Sequence, residues 1–118
     1  MLSISRGEIY FVQLGPVRGR EIDQKPRPVL VLSINDLNSK PLVVTVVPGT
    51  KAANKPVHFK NVVVVPSTAT NGLSCDTSFQ CHQLRALDQS RFTSAAVGTL
   101  APEHLRLVED AVRFSLGL

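Results

Sequence analysis

The amino-acid sequence predicts a mainly β protein, a small barrel closed by one C-terminal helix. Three observations carry this expectation. Short runs of β-forming residues are separated by turn residues, only one segment has strong helical spacing, and strands do not alternate with helices as a parallel βαβ sheet requires. A length of 118 residues fits one domain spanning residues 1–118. No internal repeat, linker or low-complexity tract divides it.

The first strand is expected over Glu8–Leu14, ending at the Gly15-Pro16 turn signal. Val17–Pro26 carries Arg18, Gly19, Arg20, Glu21, Asp23 and Lys25 without helical spacing and reads as a charged loop. Pro28–Ser33 and Leu42–Val47 are nearly continuous aliphatic runs, the pattern of strands buried on both faces. Between them Asn35–Pro41 is a cluster of turn residues. A further strand is expected over about Val57–Val65 before Pro66, followed by an Asn71-Gly72 turn. Asp76–Ala86 suggests another strand, although it alternates poorly. Asp88 can cap a short helical turn through Arg91. At the C-terminus Pro102 suits a first helical position and Glu103 the positive helix end. Leu105, Val108 and Val112 recur at helical spacing, and Gly117 ends the helix.

Composition narrows the function classes. With 43% hydrophobic and 19% charged residues the chain has enough apolar surface to offset backbone ordering, which argues against disorder. Thirteen Lys and Arg against nine Asp and Glu leave a net charge of +4, a modest attraction for polyanions such as nucleic acid. Cys75 and Cys81 match neither a disulfide framework nor a four-ligand zinc pattern, so two reduced thiols are expected. No apolar run approaches the ~18–20 residues that cross a bilayer, and Met1–Gly7 lacks a signal-peptide apolar region. A cytoplasmic location is expected.

Several separated blocks carry a more specific signal. Arg6-Gly7-Glu8-Ile9-Tyr10 opens the first strand, Gly19 and Glu21 mark the first loop, and Arg27-Pro28-Val29-Leu30-Val31 starts the second strand. Val47-Pro48-Gly49-Thr50 leaves the third, and Gln83-Leu84-Arg85-Ala86-Leu87-Asp88 with Arg91 forms a late strand and turn. In order and spacing these blocks resemble the MazF/PemK toxin family from Arg6 to the C-terminus. The resemblance implies a Src-homology-3-like β-barrel of the CcdB/PemK/MazF plasmid-maintenance toxin type, dimerising around a groove. It further implies metal-independent cleavage of single-stranded messenger RNA at short motifs, with no cofactor. A cognate antitoxin, through a disordered C-terminal tail, would neutralise the enzyme in that groove. Two departures flank the implied site: the Glu21–Arg27 spacing is one residue longer than in many relatives, and Gly49 stands where a larger residue is expected.

The implied chemistry is attack by the substrate's 2′-hydroxyl on the adjacent phosphorus, which gives a 2′,3′-cyclic phosphate and a 5′-hydroxyl. It needs a proton carrier and fixed donors for the phosphorane oxygens. The family casts Arg27 as catalytic, and its guanidinium suits phosphate oxygens. A group with pKa above ~12 makes a poor base, so its role is charge stabilisation. Thr50 supplies a hydroxyl donor by the same resemblance. His82 stands in Cys81-His82-Gln83-Leu84-Arg85 where some relatives carry an acid–base aspartate, and imidazole trades protons at cytosolic pH. The other reading of His82 is a solvated strand residue. His58 and His104 are weaker candidates. Glu21 can orient Arg27 or contact a base edge; Lys25 and Lys51, like Lys55 and Lys60, can track phosphates. Gln83 and Arg85 can contact nucleotides or brace the barrel, with bracing favoured for Arg85. Aromatic residues total 5%, too few for a base-stacking platform. The competing class is a non-enzymatic toxin of the same fold that binds a protein target such as DNA gyrase. The CcdB C-terminal tryptophan-glycine-isoleucine contact is missing, since the chain has no Trp and ends Leu116-Gly117-Leu118. A degenerate RNA-binding barrel is the third class.

Overall fold

The computed structural model describes residues 3–16, 18–21, 26–54 and 59–118. Among the described residues seven strands form one curled antiparallel sheet: β1 (Glu8–Val12), β2 (Arg27–Val31), β3 (Val44–Lys51), β4 (Val62–Val65), β5 (Thr77–Gln80), β6 (Arg85–Leu87) and β7 (Gly98–Thr99). Their order is β4-β5-β3-β2-β1-β7, with β6 also paired to β3. A four-residue helix α1 (Asn35–Asn38) links β2 to β3, and α2 (Pro102–Leu116) packs across the sheet. Mainly β with one substantial C-terminal helix is the architecture the sequence predicts. Among the described residues no helix is long and apolar enough to cross a membrane.

Alternation within the strands splits the core in two. Ile9, Leu30, Val47 and Phe79 face α2, where Val108, Ala111 and Val112 cover them. Tyr10, Val12, Val29, Val31, Val44, Val46 and Leu87 point to the other face around Phe92. This two-sided burial explains why β2 and β3 read as unbroken aliphatic runs. Tyr10 and Phe92 meet edge to face at 5.0 Å between ring centroids. Burial and the neighbouring Glu8 carboxylate raise the Tyr10 phenol above its ordinary pKa, so it stays protonated and donates to Glu8 Oε1 at 2.8 Å.

Some expectations change in detail. The strand expected over Leu42–Val47 starts two residues later and continues through Pro48 and Gly49 to Lys51, leaving Leu42 and Val43 exposed. Within the expected turn cluster, Asn35–Asn38 forms one helical turn, where the buried Asn38 amide donates to Ser33 O at 2.8 Å and accepts from Ser33 Oγ at 2.6 Å. Within the described part of the expected fourth strand, Val62–Val65 is extended; Val57 and His58 lie outside the described residues.

The Asp76–Ala86 segment is broken, and the registers show how. On β3, Gly49 faces Phe79 of β5 and Val46 faces Arg85 of β6. Three steps along β3 are therefore matched by six residues on the other side. The three-residue excess is the 3-10 turn Cys81–Gln83, which loops out of the ladder.

The turn chemistry follows the sequence. Asp88 accepts from Ser90 N at 3.0 Å, and the Ser90 hydroxyl and amide hold its carboxyl below the usual range. Gly72 adopts φ of 68° after Asn71, whose side chain accepts from Thr68 N and Leu73 N at 3.0 Å each. Helix α2 starts at Pro102 and stops at Gly117, left-handed with φ of 72°.

Candidate active site

Arg27 begins β2 and pairs with Val12 on one side. On the other side the β2–β3 ladder runs from Val31 opposite Val46 to Val29 opposite Pro48, so Arg27 and Thr50 each lie two residues past its last pair on their own strands. Directly opposed residues present their side chains on one face, with Cβ atoms about 4.5–5.5 Å apart. Thr50 in turn faces Ser78 of β5. Thr50 is 5% exposed and Ser78 fully buried, and Gln80 Nε2 donates to Ser78 Oγ at 2.9 Å.

Two hollows border these strands. The larger, of about 780 Å³, is lined by Glu21, His82 and Gln83, together with Arg20, Arg85 and an apolar floor that includes Leu14 and Pro48. The smaller, of about 180 Å³, is lined by Arg27, Lys51, Cys75 and Thr77 among others. Thr50 lines neither, but it lies two residues beyond Pro48 and one before Lys51 on the strand that borders both. The proposed residues therefore fall into two neighbouring groups. Lys25, Lys55 and His58 lie outside the described residues. His104 is on the first turn of α2 and lines neither hollow.

His82 sits on the looped-out turn, not on a strand, and is exposed. Its Nδ1 lies 2.7 Å from Asn61 Nδ2. An amide nitrogen only donates, so in this arrangement Nδ1 accepts and Nε2 of the neutral ring carries the proton. Rotating the Asn61 amide by half a turn presents Oδ1 instead, moves the proton to Nδ1 and frees the Nε2 lone pair. Asn61 is the hydrogen-bond partner of His82 that sequence reasoning missed. It stands 21 residues before His82, in the turn before β4, and no local signal links the two.

Several polar side chains brace the walls. Gln83 Nε2 donates to Arg20 O at 3.3 Å, and Arg85 Nη1 donates to Leu14 O at 3.3 Å. Arg91 Nη1 donates to Gln13 O and Gly15 O, each at 3.1 Å. These bonds tie the loop after β1 to the segment from Gln83 to Arg91. Glu21 N donates to Arg18 O at 3.0 Å, and Glu21 Oε1 accepts from Arg18 N, closing a small turn. Gly49 has a steric explanation. A Cβ there would lie 2.6 Å from Thr77 Cγ2 and 3.1 Å from the Phe79 ring, so a larger residue would force these side chains to shift.

Residues 5–116 match the family model described as PemK-like, MazF-like toxin of type II toxin-antitoxin system. The chain belongs to this family. Among curated relatives of this PemK/MazF-type chain, endoribonuclease MazF9 of Mycobacterium tuberculosis is 32% identical over 118 residues, covering 96% of each chain. Endoribonuclease EndoA of Bacillus subtilis is 29% identical over 119 residues, covering 98% of this chain and 96% of its own. Solved structures share the fold. MazF of Deinococcus radiodurans superposes with a TM-score of 0.81 at 20% identity, each chain covered completely. A mycobacterial endoribonuclease in complex with its cognate antitoxin gives 0.77 at 19% identity, covering 98% of this chain and 96% of that one.

Proposed function

We propose that this PemK/MazF-type chain is the toxin of a toxin–antitoxin pair and a metal-independent, sequence-specific endoribonuclease that cuts single-stranded messenger RNA by 2′-hydroxyl attack. The observation that supports the reading is that Arg27 of β2 and Lys51, the residue after Thr50 on β3, line one hollow. A guanidinium and a hydroxyl on neighbouring strands suit the developing charge on one phosphate held between them. His82 serves as the proton carrier once the Asn61 amide has turned to accept from Nδ1. Lys51 and Lys25 hold the flanking phosphates, and Glu21 and Gln83 contact nucleotides in the larger hollow. The chain works in the cytoplasm as one domain, and the disordered tail of a cognate antitoxin blocks the site.

A second copy of the chain is the proposed partner for the apolar face formed by the edge strand β4 and α2. Phe59, Leu107 and Phe114 are 64%, 52% and 48% exposed there, and the Phe59 and Phe114 rings meet at 5.6 Å between centroids.

The test is a DNA oligonucleotide with a single ribose at the cut position, incubated with the protein in EDTA. The expected result is cleavage at that ribose with 2′,3′-cyclic phosphate and 5′-hydroxyl ends. Cleavage of all-DNA controls, or dependence on added Mg²⁺, would refute it.

A further inference from the structure

We infer that the larger hollow reads a guanine base beside the scissile phosphate, with the Glu21 carboxylate accepting from the guanine N1–H and N2–H₂ groups. The inference rests on the ribonuclease reading above and adds to it the identity of one base. Its starting point is a charge of unexpected sign. The hollow is rimmed by Arg20, Arg85 and His82, groups that suit phosphate, yet Glu21 stands among them. A carboxylate repels the phosphodiester backbone and offers only acceptors, so its complement is a base edge rich in donors.

Among the four bases that requirement selects one. Cytosine and adenine each place a ring acceptor beside the amino group, and uracil flanks its single N–H with two carbonyls. Guanine alone presents two adjacent donors, N1–H and N2–H₂, that match both oxygens of a carboxylate. Its remaining acceptors, O6 and N7, match a guanidinium, which the neighbouring Arg20 supplies.

The local structure holds these groups in place. One Glu21 oxygen accepts from Arg18 N, which leaves most of the carboxylate's roughly four acceptor positions for a ligand. Arg20 O accepts from Gln83 Nε2 at 3.3 Å, tying the loop to the turn that carries His82. The volume of about 780 Å³ accommodates a nucleoside, and Pro48 in its floor places it two residues from Thr50.

The experiment compares oligoribonucleotides carrying guanosine, inosine, adenosine, cytidine or uridine at each position flanking the cut. Cleavage is measured as kcat/KM, and binding is measured on the uncleavable 2′-deoxy versions. Guanosine should be preferred at one flanking position, with inosine, which lacks the N2 amino group, intermediate. Glu21→Gln keeps an oxygen for Arg18 N and should reduce the guanosine preference by roughly 10- to 100-fold in both readouts. Cleavage without guanosine preference, or a preference that survives Glu21→Gln, overturns the inference and leaves the ribonuclease reading standing. Guanosine-selective, Glu21-dependent binding without cleavage upholds the base pocket and overturns the ribonuclease reading. Neither cleavage nor selective binding overturns both.

Discussion

Gly49→Ala probes the packing directly behind Thr50. The added methyl would lie 2.6 Å from Thr77 Cγ2, where carbon atoms rest at about 3.5–4.0 Å, so roughly 1 Å must be opened inside a buried layer. Overpacking of this kind costs about 1–3 kcal/mol. Gly49 does not have a positive φ, so alanine also restricts the unfolded chain and returns about 0.4–1 kcal/mol. The net loss is about 1–2 kcal/mol, a fall in Tm of roughly 3–10 °C at this chain length. Thr77→Ser deletes the obstructing methyl and keeps the hydroxyl that donates to Cys75 O at 2.9 Å. Alone it should cost about 1 kcal/mol. In the double variant the two changes fill one another's space, with a favourable coupling of about 1–2 kcal/mol. Urea and thermal melts of the four proteins measure it. Additivity to within about 0.5 kcal/mol would mean that Thr77 does not exclude a side chain at position 49.

Three other outcomes follow from the site and the core. Arg27→Ala should lower the cleavage rate by about 10²–10³ with the fold retained, and Arg27→Lys should recover only part of it, because lysine lacks the planar fork; a folded variant with wild-type kcat/KM removes Arg27 from the chemistry. His82→Ala should lower kcat, and Asn61→Leu should lower it with little change in KM, since it withdraws the amide that sets the ring's tautomer. An unaltered kcat in both makes His82 a surface residue. Burial pushes the Cys81 thiol up to about 12, so at pH 8 iodoacetamide should label the half-buried Cys75 and reach Cys81 only on unfolding. Because this pKa is raised on folding, the associated stability is present below the unfolded value of about 8.5 and is lost as pH climbs toward 12; equal labelling of both thiols in the folded protein contradicts the burial.

What was legible in the sequence is what local chemistry dictates. The aliphatic runs of β2 and β3, the Asp88 cap, and the Pro102 and Gly117 ends of α2 each act within a few residues and appear where expected. The break between β5 and β6 was visible only as poor alternation, because a looped-out turn is defined by the strand it fails to pair with. The continuation of β3 through Pro48 was hidden for a related reason: a proline in a strand reads as a stop unless the pairing of its neighbours is known. Family blocks drew attention to Arg27 and Thr50, but how their strands pair is a matter of register, which no single segment encodes. The bond between Asn61 and His82 joins residues far apart in the chain and left no trace in either neighbourhood.

The excess turn on β3's partner separates two properties that proteins often find hard to vary independently. Because the ladders on either side of Cys81–Gln83 are each locked by their own buried residues, lengthening or shortening this turn need not slip either one. A lineage could remodel how this rim of the hollow meets its substrate by adding or deleting residues there, while the same valines and phenylalanine go on meeting beneath it.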